Sequence, residues 1–372
     1  MIHVYTELQS GFQWLKQYSG KNPSFACVFG FTDTGLIPGI SAAGVTPQDR
    51  EYTAIADAEF LVKGVQQNYH HPLPILTAGV SPTFISRTVV EALKMPLFVF
   101  DAGLPHPLSV KAIDLGGIPA ACLTSGRAMD LARVKSLFAR GLEWGEKLSN
   151  TSDYLILGEC VVGGTTTALA VLTALGIDAQ EMVNSSHPQC NHEQKLSVVR
   201  AGLSQVNFGN TNGTLDPFTV VAAIGDPMQI VVAGMAISAS RKLGVMLAGG
   251  TQMLAVYKLI QAIVTYHNVS VELAHIVVGT TRWVAQDPTG NTIGLAKIIG
   301  GVPLLGTGLN FATSRYPSFR AYEVGYVKEG VGAGGCAIAT HLKQNWTSTQ
   351  LLGATETLFD RYRRLRMNSI GQ

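Results

Sequence analysis

A glycine-rich turn between an apolar run and a helix-like segment has the residue types that hold an anion. The run covers residues 154–157, and the turn after it reads GECVVGGTTT over residues 158–167. A turn that opens a helix presents backbone N–H groups without intrahelical partners, and these groups attract negative charge. The residues expected to contact the anion are Gly163, Gly164, Thr165 and Thr166.

The spacing of this turn resembles a P-loop, which binds nucleoside triphosphates, with one exception. Gly158, Gly163 and Thr165 match that pattern, but Gly164 stands where a P-loop has its lysine. Because the lysine neutralises the outer phosphates of ATP, its replacement favours a ligand with a single phosphate. The competing interpretation is a tight strand-to-helix connection that binds no ligand.

Two carboxylates occupy glycine-rich turns, where a buried acid requires a partner or a function. Glu159 follows the apolar run at 154–157, and we expect it to orient a substrate. Glu329 lies in the segment YVKEGVGAGG at 326–335, before a predicted helix at 336–343. Glu329 could accept a proton from a nitrogen heterocycle, or it could instead cap the N-terminus of that helix.

Further glycine turns follow other apolar runs, and turns at the ends of parallel strands share one crevice. One turn reads LAGGTQ at 247–252, and another reads GTTR at 279–282. Arg282 could clamp a phosphate or a carboxylate with two hydrogen bonds, and a surface arginine is the competing interpretation. The other residues of the glycine turns expected to bind substrate are Gly249, Gly250, Thr281, Gly330 and Gly332.

Neither a metal nor a nucleic acid is expected as a ligand. His187, Cys190 and His192 are close in sequence, but their spacing matches neither a paired-cysteine motif nor a helical i, i+4 pair. The 27 basic and 25 acidic residues give a net charge of +2, which is too small to attract nucleic acid. Any anion site must therefore be local.

The elements that position these turns are indicated by short apolar runs, which predict buried parallel strands, and by longer periodic segments, which predict crossover helices. Asp216-Pro217 and Asp226-Pro227 each predict a capped helix start, and the second helix is expected to reach residue 241. The predicted strands cover residues 25–29, 73–77, 97–100, 154–157, 245–247 and 276–278. Further predicted helices cover residues 86–94, 128–148, 165–175 and 252–267.

This alternation predicts a doubly wound, Rossmann-like α/β fold with a mainly parallel sheet and helices on both faces. With 372 residues, 47% of them apolar, the chain can form one large domain over residues 1–372. Residues 1–70 and 284–372 are expected to contribute a smaller helical cap or dimerisation subdomain. Within the latter, the irregular stretch at 284–322 is expected to cover the site or contact a neighbouring subunit.

The sequence predicts a cytoplasmic protein without a membrane segment. Five cysteines without paired spacing favour free thiols in a reducing compartment. The N-terminus lacks the pattern of a secretory signal. The apolar stretch at 244–264 contains Lys258 and several glycines, which favours a buried strand and helix over a membrane span.

Four of these segments, in the same order, resemble motifs of the nicotinate-nucleotide:dimethylbenzimidazole phosphoribosyltransferase family. The turn at 158–166 resembles that family's GEMGIGNTT loop, and residues 225–229 with the helix after them resemble GGxEIAA. Residues 245–249 resemble VLVDG, and residues 327–333 resemble LGEGxGA. The similarity covers residues 138–342 and is weaker before them, where the sequence resembles a divergent branch of the family.

Several positions depart from the family motifs near the expected site. Val161 replaces a glycine of the loop, and Gly164 replaces its asparagine. Ala248 replaces the aspartate of VLVDG, and residues 287–290 read DPTG where the family has EPGH.

The resemblance implies transfer of ribose 5-phosphate from nicotinate mononucleotide to a benzimidazole-like or purine base. The products would be nicotinate and an alpha-ribotide for assembly of the nucleotide loop of cobamides. The resemblance also implies that Glu329 is the catalytic base, that no cofactor is needed and that the protein forms a homodimer.

Two alternatives to this function remain open. A protein on the same fold could bind a mononucleotide or a cobamide precursor without catalysis. A P-loop nucleoside triphosphatase is disfavoured by Gly164. The identity of the acceptor base is not determined by these motifs.

Overall fold

A computed structural model of the protein describes residues 2–74, 76, 78–207 and 215–370. The described residues form one eight-stranded sheet with the chain-order strands β1 (Ile2–Val4), β2 (Pro23–Phe29), β3 (Leu97–Asp101), β4 (Ile113–Asp114), β5 (Tyr154–Cys160), β6 (Gly244–Ala248), β7 (Ile276–Thr280) and β8 (Leu304–Thr307). Their spatial order is β1-β8-β7-β6-β5-β2-β3-β4. All neighbours are parallel except β1, which pairs antiparallel with β8.

Helices cover both faces of the sheet, which confirms the predicted doubly wound α/β fold. They are α1 (Leu8–Tyr18), α2 (Pro47–Lys63), α3 (Thr83–Leu93), α4 (Leu131–Leu148), α5 (Gly164–Ala174), α6 (His192–Ser204), α7 (Pro217–Ile224), α8 (Pro227–Ser240), α9 (Thr251–His267), α10 (Arg282–Ala285), α11 (Thr292–Ile299), α12 (Pro317–Arg320), α13 (Ala333–Gln344) and α14 (Ser348–Ile370). Within the described ranges, none of these helices has the length and apolar character needed to cross a membrane.

The strand side chains alternate between two hydrophobic cores, one on each face of the sheet. On β5, Leu155 and Leu157 enter the core that contains α4, α5, α8 and α9, whereas Tyr154 and Ile156 enter the core that contains α1, α2, α3 and α13. All four side chains are fully buried. Because a parallel sheet is covered on both faces, its strands have continuous apolar runs rather than an alternating pattern.

The two ends of the chain meet on the second face through packed aromatic rings. Phe60 of α2 lies 4.6 Å from Phe84 of α3, and Phe359 of α14 lies 5.1 Å from both Phe84 and Phe319 (centroid to centroid). The chain ends also supply β1 and β8 to the central sheet. They are thus part of the main core, and the smaller subdomain stays a prediction.

Both predicted aspartate caps are present. The carboxylate of Asp226 accepts hydrogen bonds from the backbone N–H groups of Met228 (3.1 Å) and Gln229 (3.3 Å), and the Gln229 side chain accepts the N–H of Asp226 in return. Pro227 occupies the first position of α8, where its missing N–H costs nothing. Every residue of α8 is buried, so this reciprocal cap fixes a helix at the centre of the first core.

The prediction of a strand at residues 73–77 is wrong. Residues 73, 74 and 76 are not in a strand, and Ile75 and Thr77 lie outside the described residues. Pro72 and Pro74 explain the difference, since proline cannot donate to the hydrogen-bond ladder of a central strand. The sequence prediction also missed β1, β4 and β8, which are only two to four residues long, and β8 lies inside the stretch predicted as irregular.

A pair of glycine substitutions tests how tightly α13 is packed against the end of β7. A Cβ atom at Gly334 would lie 2.3 Å from the backbone of Thr280, whereas one at Gly353 of α14 would have no neighbour within 4 Å. We expect Gly334→Ala to lower the free energy of unfolding by about 1–3 kcal/mol through overpacking. Gly353→Ala should raise it by about 0.5–1 kcal/mol, because alanine favours helix. Urea denaturation of both variants checks the contrast, and equal effects would contradict it.

Candidate active site

A cavity of about 550 Å³ opens where the carboxyl ends of the parallel strands meet α2. Its walls come from the turn after β5, the turn after β6, the segment before α13 and two loops around residues 41–45 and 184–188. A volume of this size is typical of small-molecule sites. The crevice predicted at the strand ends is therefore present.

The structure brings together seven of the twelve residues predicted to bind substrate or to catalyse. Those lining the cavity are Glu159, Gly163, Gly164, Thr165, Gly250, Glu329 and Gly330. Those outside its lining are Thr166, Gly249, Thr281, Arg282 and Gly332. Thr166 and Thr281 of this second group contact residues of the first, as described below.

Arg282 does not take the position that was expected of it. Its Nε atom donates to the carbonyl of Leu309 (2.7 Å), and its guanidinium forms an ion pair with Glu323. The guanidinium is thus held by Leu309 and Glu323, away from the cavity lining, and cannot clamp a ligand there. Thr281 instead supports the site, because its N–H donates to Glu329 (2.8 Å) and its hydroxyl donates to the carbonyl of Lys328 (2.6 Å).

The turn at the start of α5 lines the cavity, but part of its hydrogen-bonding capacity is used internally. The N–H of Gly164 donates to the carbonyl of Val161 (3.1 Å), and that of Thr166 donates to Gly163 (2.9 Å). Gly163 adopts a φ of 87° and its backbone packs directly on Gly35. An anion at this turn therefore needs donors from other segments as well.

Glu329 lies at the cavity surface and accepts four hydrogen bonds. Its Oε2 accepts the N–H of Thr281 (2.8 Å) and the hydroxyl of Thr280 (3.0 Å), and its Oε1 accepts the N–H of Gly334 (2.9 Å) and, weakly, that of Gly330 (3.4 Å). Desolvation raises the pKa of Glu329, and these donors oppose the shift because they stabilise the ionised form. Because the contact from Gly330 is long, Oε1 keeps the capacity to accept a proton from a ligand.

Glu159 is a deeply buried acid with fewer donors. It is 2% exposed, and it accepts the N–H of Val161 (3.2 Å) and the side-chain amide of Gln252 (2.9 Å). Burial, followed by the charges of Asp226 and Glu329, raises the pKa of Glu159 to about 8. At neutral pH Glu159 therefore holds a proton, whereas Glu329 accepts four hydrogen bonds instead of two, and these favour its ionised form.

The segment that carries Glu329 has an unusual backbone. Val327, Lys328 and Val331 have φ values of 68°, 65° and 51°, in the left-handed region that residues with a side chain rarely adopt. Gly330 and Gly332 in the same segment also have positive φ. Backbone strain of this kind is concentrated at functional sites, where surrounding contacts hold it in place.

A buried ion pair stabilises this segment. The Nζ of Lys328 lies 2.5 Å from Oδ2 of Asp287, and both side chains are 2% exposed. Asp287 also accepts a hydrogen bond from the side-chain amide of Asn184 (2.8 Å). Burial would raise the pKa of Asp287, but the Lys328 ammonium and the other donors hold it below the usual range. The pair ties the strained segment to the loop at 184–188, which forms the facing wall.

Sequence reasoning missed Arg50, a cation that helix α2 presents to the cavity. Arg50 of α2 is 5% exposed and lines the cavity, and its Nη1 donates to the carbonyls of Gly35 (3.0 Å) and Ile37 (2.9 Å). Among the described residues no carboxylate pairs with it, and its Nε has no hydrogen-bond partner. Ser185, also on the cavity lining and 4% exposed, has a hydroxyl without a partner in the ranges that the structure describes. A buried cation without a counter-ion indicates an anionic ligand.

A signal for α2 is present in the sequence. Thr46 and Asp49 form a capping box around Pro47, a motif that marks a helix start. Arg50 and Asp57 then lie seven residues apart, hence on one face of the helix. Two charges on the buried face of an alanine-containing helix would have indicated a site.

The closely spaced histidines and cysteine make contacts with the backbone and with Asp287. His187 contacts the carbonyl of Gly39 (3.0 Å), and His192 contacts that of Thr289 (2.5 Å). The thiol of Cys190 lies 3.7 Å from Asp287. Over the described ranges, no cluster of three or more metal-binding side chains occurs. These side chains therefore serve to connect the loop before α6 to its neighbours.

The raised pKa of Glu159 gives a stability prediction. The native state keeps a proton that the unfolded chain releases between the ordinary pKa of 4.5 and about 8, so the free energy of unfolding falls as pH rises through this window. Glu159→Gln cannot ionise, and its stability relative to wild type should increase by up to a few kcal/mol from pH 5 to pH 8, at about 1.4 kcal/mol per pKa unit.

Urea denaturation at pH 5, 6.5 and 8 measures this difference. The same substitution at the exposed Glu193 of α6 controls for the loss of one charge. A stability difference between Glu159→Gln and wild type that stays constant across this range would contradict the proposed protonation state.

Comparison with known proteins identifies the family. A family model described as "Phosphoribosyltransferase" matches residues 85–271. A UPF0284 protein of Rippkaea orientalis is 61% identical over 360 residues, which cover 96% of this chain and 98% of that protein.

Two solved structures share the fold. The nicotinate-nucleotide-dimethylbenzimidazole phosphoribosyltransferase of Thermus thermophilus superposes with a TM-score of 0.60 at 17% identity, over 95% of this chain and 89% of that one. A structure of CobT from the same organism gives a TM-score of 0.62 at 18% identity, over 94% and 90% of the two chains. At these identities the structures support the fold alone. The family match and the close UPF0284 relative show that the chain belongs to the phosphoribosyltransferase family, as its motifs indicated.

Proposed function

We propose that this cavity transfers ribose 5-phosphate from nicotinate mononucleotide to a nitrogen heterocycle. The observation that carries the proposal is the separation of uncompensated charge across the cavity. Among the described residues, Arg50 lies on one wall without a carboxylate partner, and Glu329 lines another part of the cavity without a cation, beside the protonated Glu159. An anionic group at one end and an N–H donor at the other would compensate both.

The phosphate end combines Arg50 with the turn at the start of α5. The carbonyl of Gly35 accepts from Arg50, and the backbone of Gly35 packs against Gly163, so the guanidinium lies beside this turn. Ser185 adds a hydroxyl without a partner in the described chain. A phosphate held there would gain a charge-assisted hydrogen bond, which supplies the positive charge that the turn lacks at Gly164.

The transfer step balances without any further reactant. The bond between ribose C1 and the pyridinium nitrogen breaks, and its electron pair neutralises that nitrogen, so neutral-ring nicotinate leaves. The unprotonated ring nitrogen of the acceptor forms the new bond to C1, and the proton of the acceptor's other ring nitrogen passes to Glu329, which leaves the product ring neutral. The sugar passes through an oxocarbenium-like state, and the fixed geometry of both rings reduces the entropic barrier.

The two acids are assigned different roles. Glu329, at the cavity surface with four donors, is the proton acceptor. Glu159, whose pKa of about 8 keeps it protonated at neutral pH, donates a hydrogen bond that orients a substrate. Two carboxyl groups with different environments commonly divide their work in this way.

Incubation of the purified protein with nicotinate mononucleotide and a panel of bases tests the function. Mass spectrometry should detect free nicotinate and a new ribotide. The rival function, binding without catalysis, predicts saturable binding of the mononucleotide with no nicotinate released. Magnesium-dependent hydrolysis of ATP would instead favour the P-loop alternative.

The Glu329→Gln variant distinguishes the two roles considered for Glu329, catalytic base and cap of helix α13. We expect turnover to fall by about 10²- to 10⁴-fold, the usual cost of removing a general base. The amide also replaces one acceptor oxygen with an NH2 group, a donor that would face the hydrogen-bond donors of the chain. The variant should therefore lose roughly 1–3 kcal/mol of stability. Turnover should therefore be measured at a temperature where circular dichroism shows both proteins folded. Wild-type turnover per folded molecule would leave Glu329 with the cap role alone.

Arg50→Gln tests the phosphate end. Loss of a hydrogen bond to a charged group should lower kcat/KM for nicotinate mononucleotide by roughly 10- to 100-fold. Arg87→Gln is the matched control, because Arg87 also donates to two backbone carbonyls but lies outside the cavity lining. Equal effects of the two substitutions on kcat/KM would argue against an anion at Arg50.

A further inference from the structure

Helix α2 presents a third acid to the cavity. Arg50, Thr53 and Asp57 all line it, at the i, i+3 and i+7 positions of one helical face. The rise of about 1.5 Å per residue separates Arg50 from Asp57 by roughly 10 Å along the helix axis. One helix thus places a cation at the proposed phosphate end and a carboxyl group well away from it.

The two oxygens of Asp57 are unequally satisfied. Oδ1 accepts the hydroxyls of Ser81 (2.5 Å) and Thr83 (2.8 Å). Oδ2 accepts only the thiol of Cys160, at 3.8 Å, and S–H is a weak donor. Asp57 is 4% exposed, and no cation pairs with it in the part of the chain that the structure describes. Oδ2 therefore has acceptor capacity that a buried carboxyl group normally uses.

Asp57 lies at the same end of the cavity as Glu329. Ser81, which binds Asp57, precedes Pro82, and a Cβ atom at Gly330 would lie 3.0 Å from the Pro82 ring. Cys160, the other neighbour of Asp57, follows Glu159 in β5. Three acids therefore surround the place where the proposed acceptor binds, next to the apolar lining of Pro74, Leu76 and Pro82.

The same cavity has independent signs of a ligand that is not part of the chain. The hydroxyl of Ser185 and the Nε of Arg50, both in residues at least nine-tenths buried, lack partners among the described residues. Asp57, Glu159 and Glu329 therefore belong to a cavity that has other signs of a ligand, and they are not an isolated group of acids on the surface.

We propose that Asp57 selects the acceptor. The site takes a nitrogen heterocycle that carries an N–H donor in addition to its attacking ring nitrogen, as an aminopurine does, in preference to an unsubstituted or methylated ring. The ring N–H faces Glu329, and the second donor gives its hydrogen to Oδ2 of Asp57. A methyl group there would leave Oδ2 without a donor. This inference rests on the transfer reaction proposed above.

Adenine and purine form the matched pair of substrates, because they differ by one amino group. With nicotinate mononucleotide as donor, wild-type protein should show a kcat/KM for adenine that exceeds that for purine by roughly 10- to 100-fold. Asp57→Ala should reduce this ratio at least tenfold. Glu51→Gln, on the same helix but outside the cavity lining, controls for the loss of one negative charge and should keep the wild-type ratio.

The ratio distinguishes selection from support of the fold. Asp57 also anchors the start of α3 through Ser81 and Thr83, and a loss of that support would slow both substrates equally. If the alanine variant does not fold, Asp57→Asn, which keeps the side-chain size, replaces it. Equal use of adenine and purine by wild type, or an unchanged ratio in the variant, overturns the inference while the transfer reaction stands. If no base releases nicotinate, the transfer reaction itself is refuted.

Discussion

The carboxylate of Glu329 joins three neighbouring parts of the chain through the hydrogen bonds that it accepts, and the shape of the cavity depends on their convergence. The end of β7 contributes Thr280 and Thr281, the start of α13 contributes Gly334, and the segment between them carries the acid itself. The carboxylate offsets the positive end of α13 while it fixes a backbone with several positive φ values. A group that holds a strained segment in one position is also well placed to meet a substrate in one geometry.

Charge is arranged around the cavity so that neither end is neutral without a ligand. The Lys328–Asp287 pair is internally balanced, and Lys195 donates to two backbone carbonyls of the facing loop. These groups rigidify the walls. Arg50, Glu329 and Asp57 have no such ionic partner in the described chain, and burying them costs stability that packing elsewhere must supply. Active sites commonly show this pattern, because groups that satisfied each other would have nothing left for a substrate.

The sequence predicted the central strands and the long helices because buried parallel strands and amphipathic or capped helices leave strong local patterns. It did not predict β1, β4 and β8, which are short and depend on partners distant in the chain. The turns holding Glu159 and Glu329 were identified because glycine marks close backbone approach. Arg50 and Asp57 were missed since their importance arises from the absence of ionic partners, and partners are a property of the folded chain. Arg282 was misplaced for the converse reason, because its partner Glu323 is 41 residues away.

The side chain of Gln252 occupies the space that a side chain at position 164 would need. A Cβ atom on Gly164 would lie 1.8 Å from the side-chain oxygen of Gln252, so a larger residue there requires the Gln252 side chain to move. The family motif has asparagine at this position, and the amide here is supplied instead by a different helix, α9. The displaced carboxamide is also the one that donates to Glu159 (2.9 Å). The size of residue 164 is thus coupled to the solvation of a buried acid: a side chain in the loop would move Gln252 and remove one of the two donors that Glu159 has.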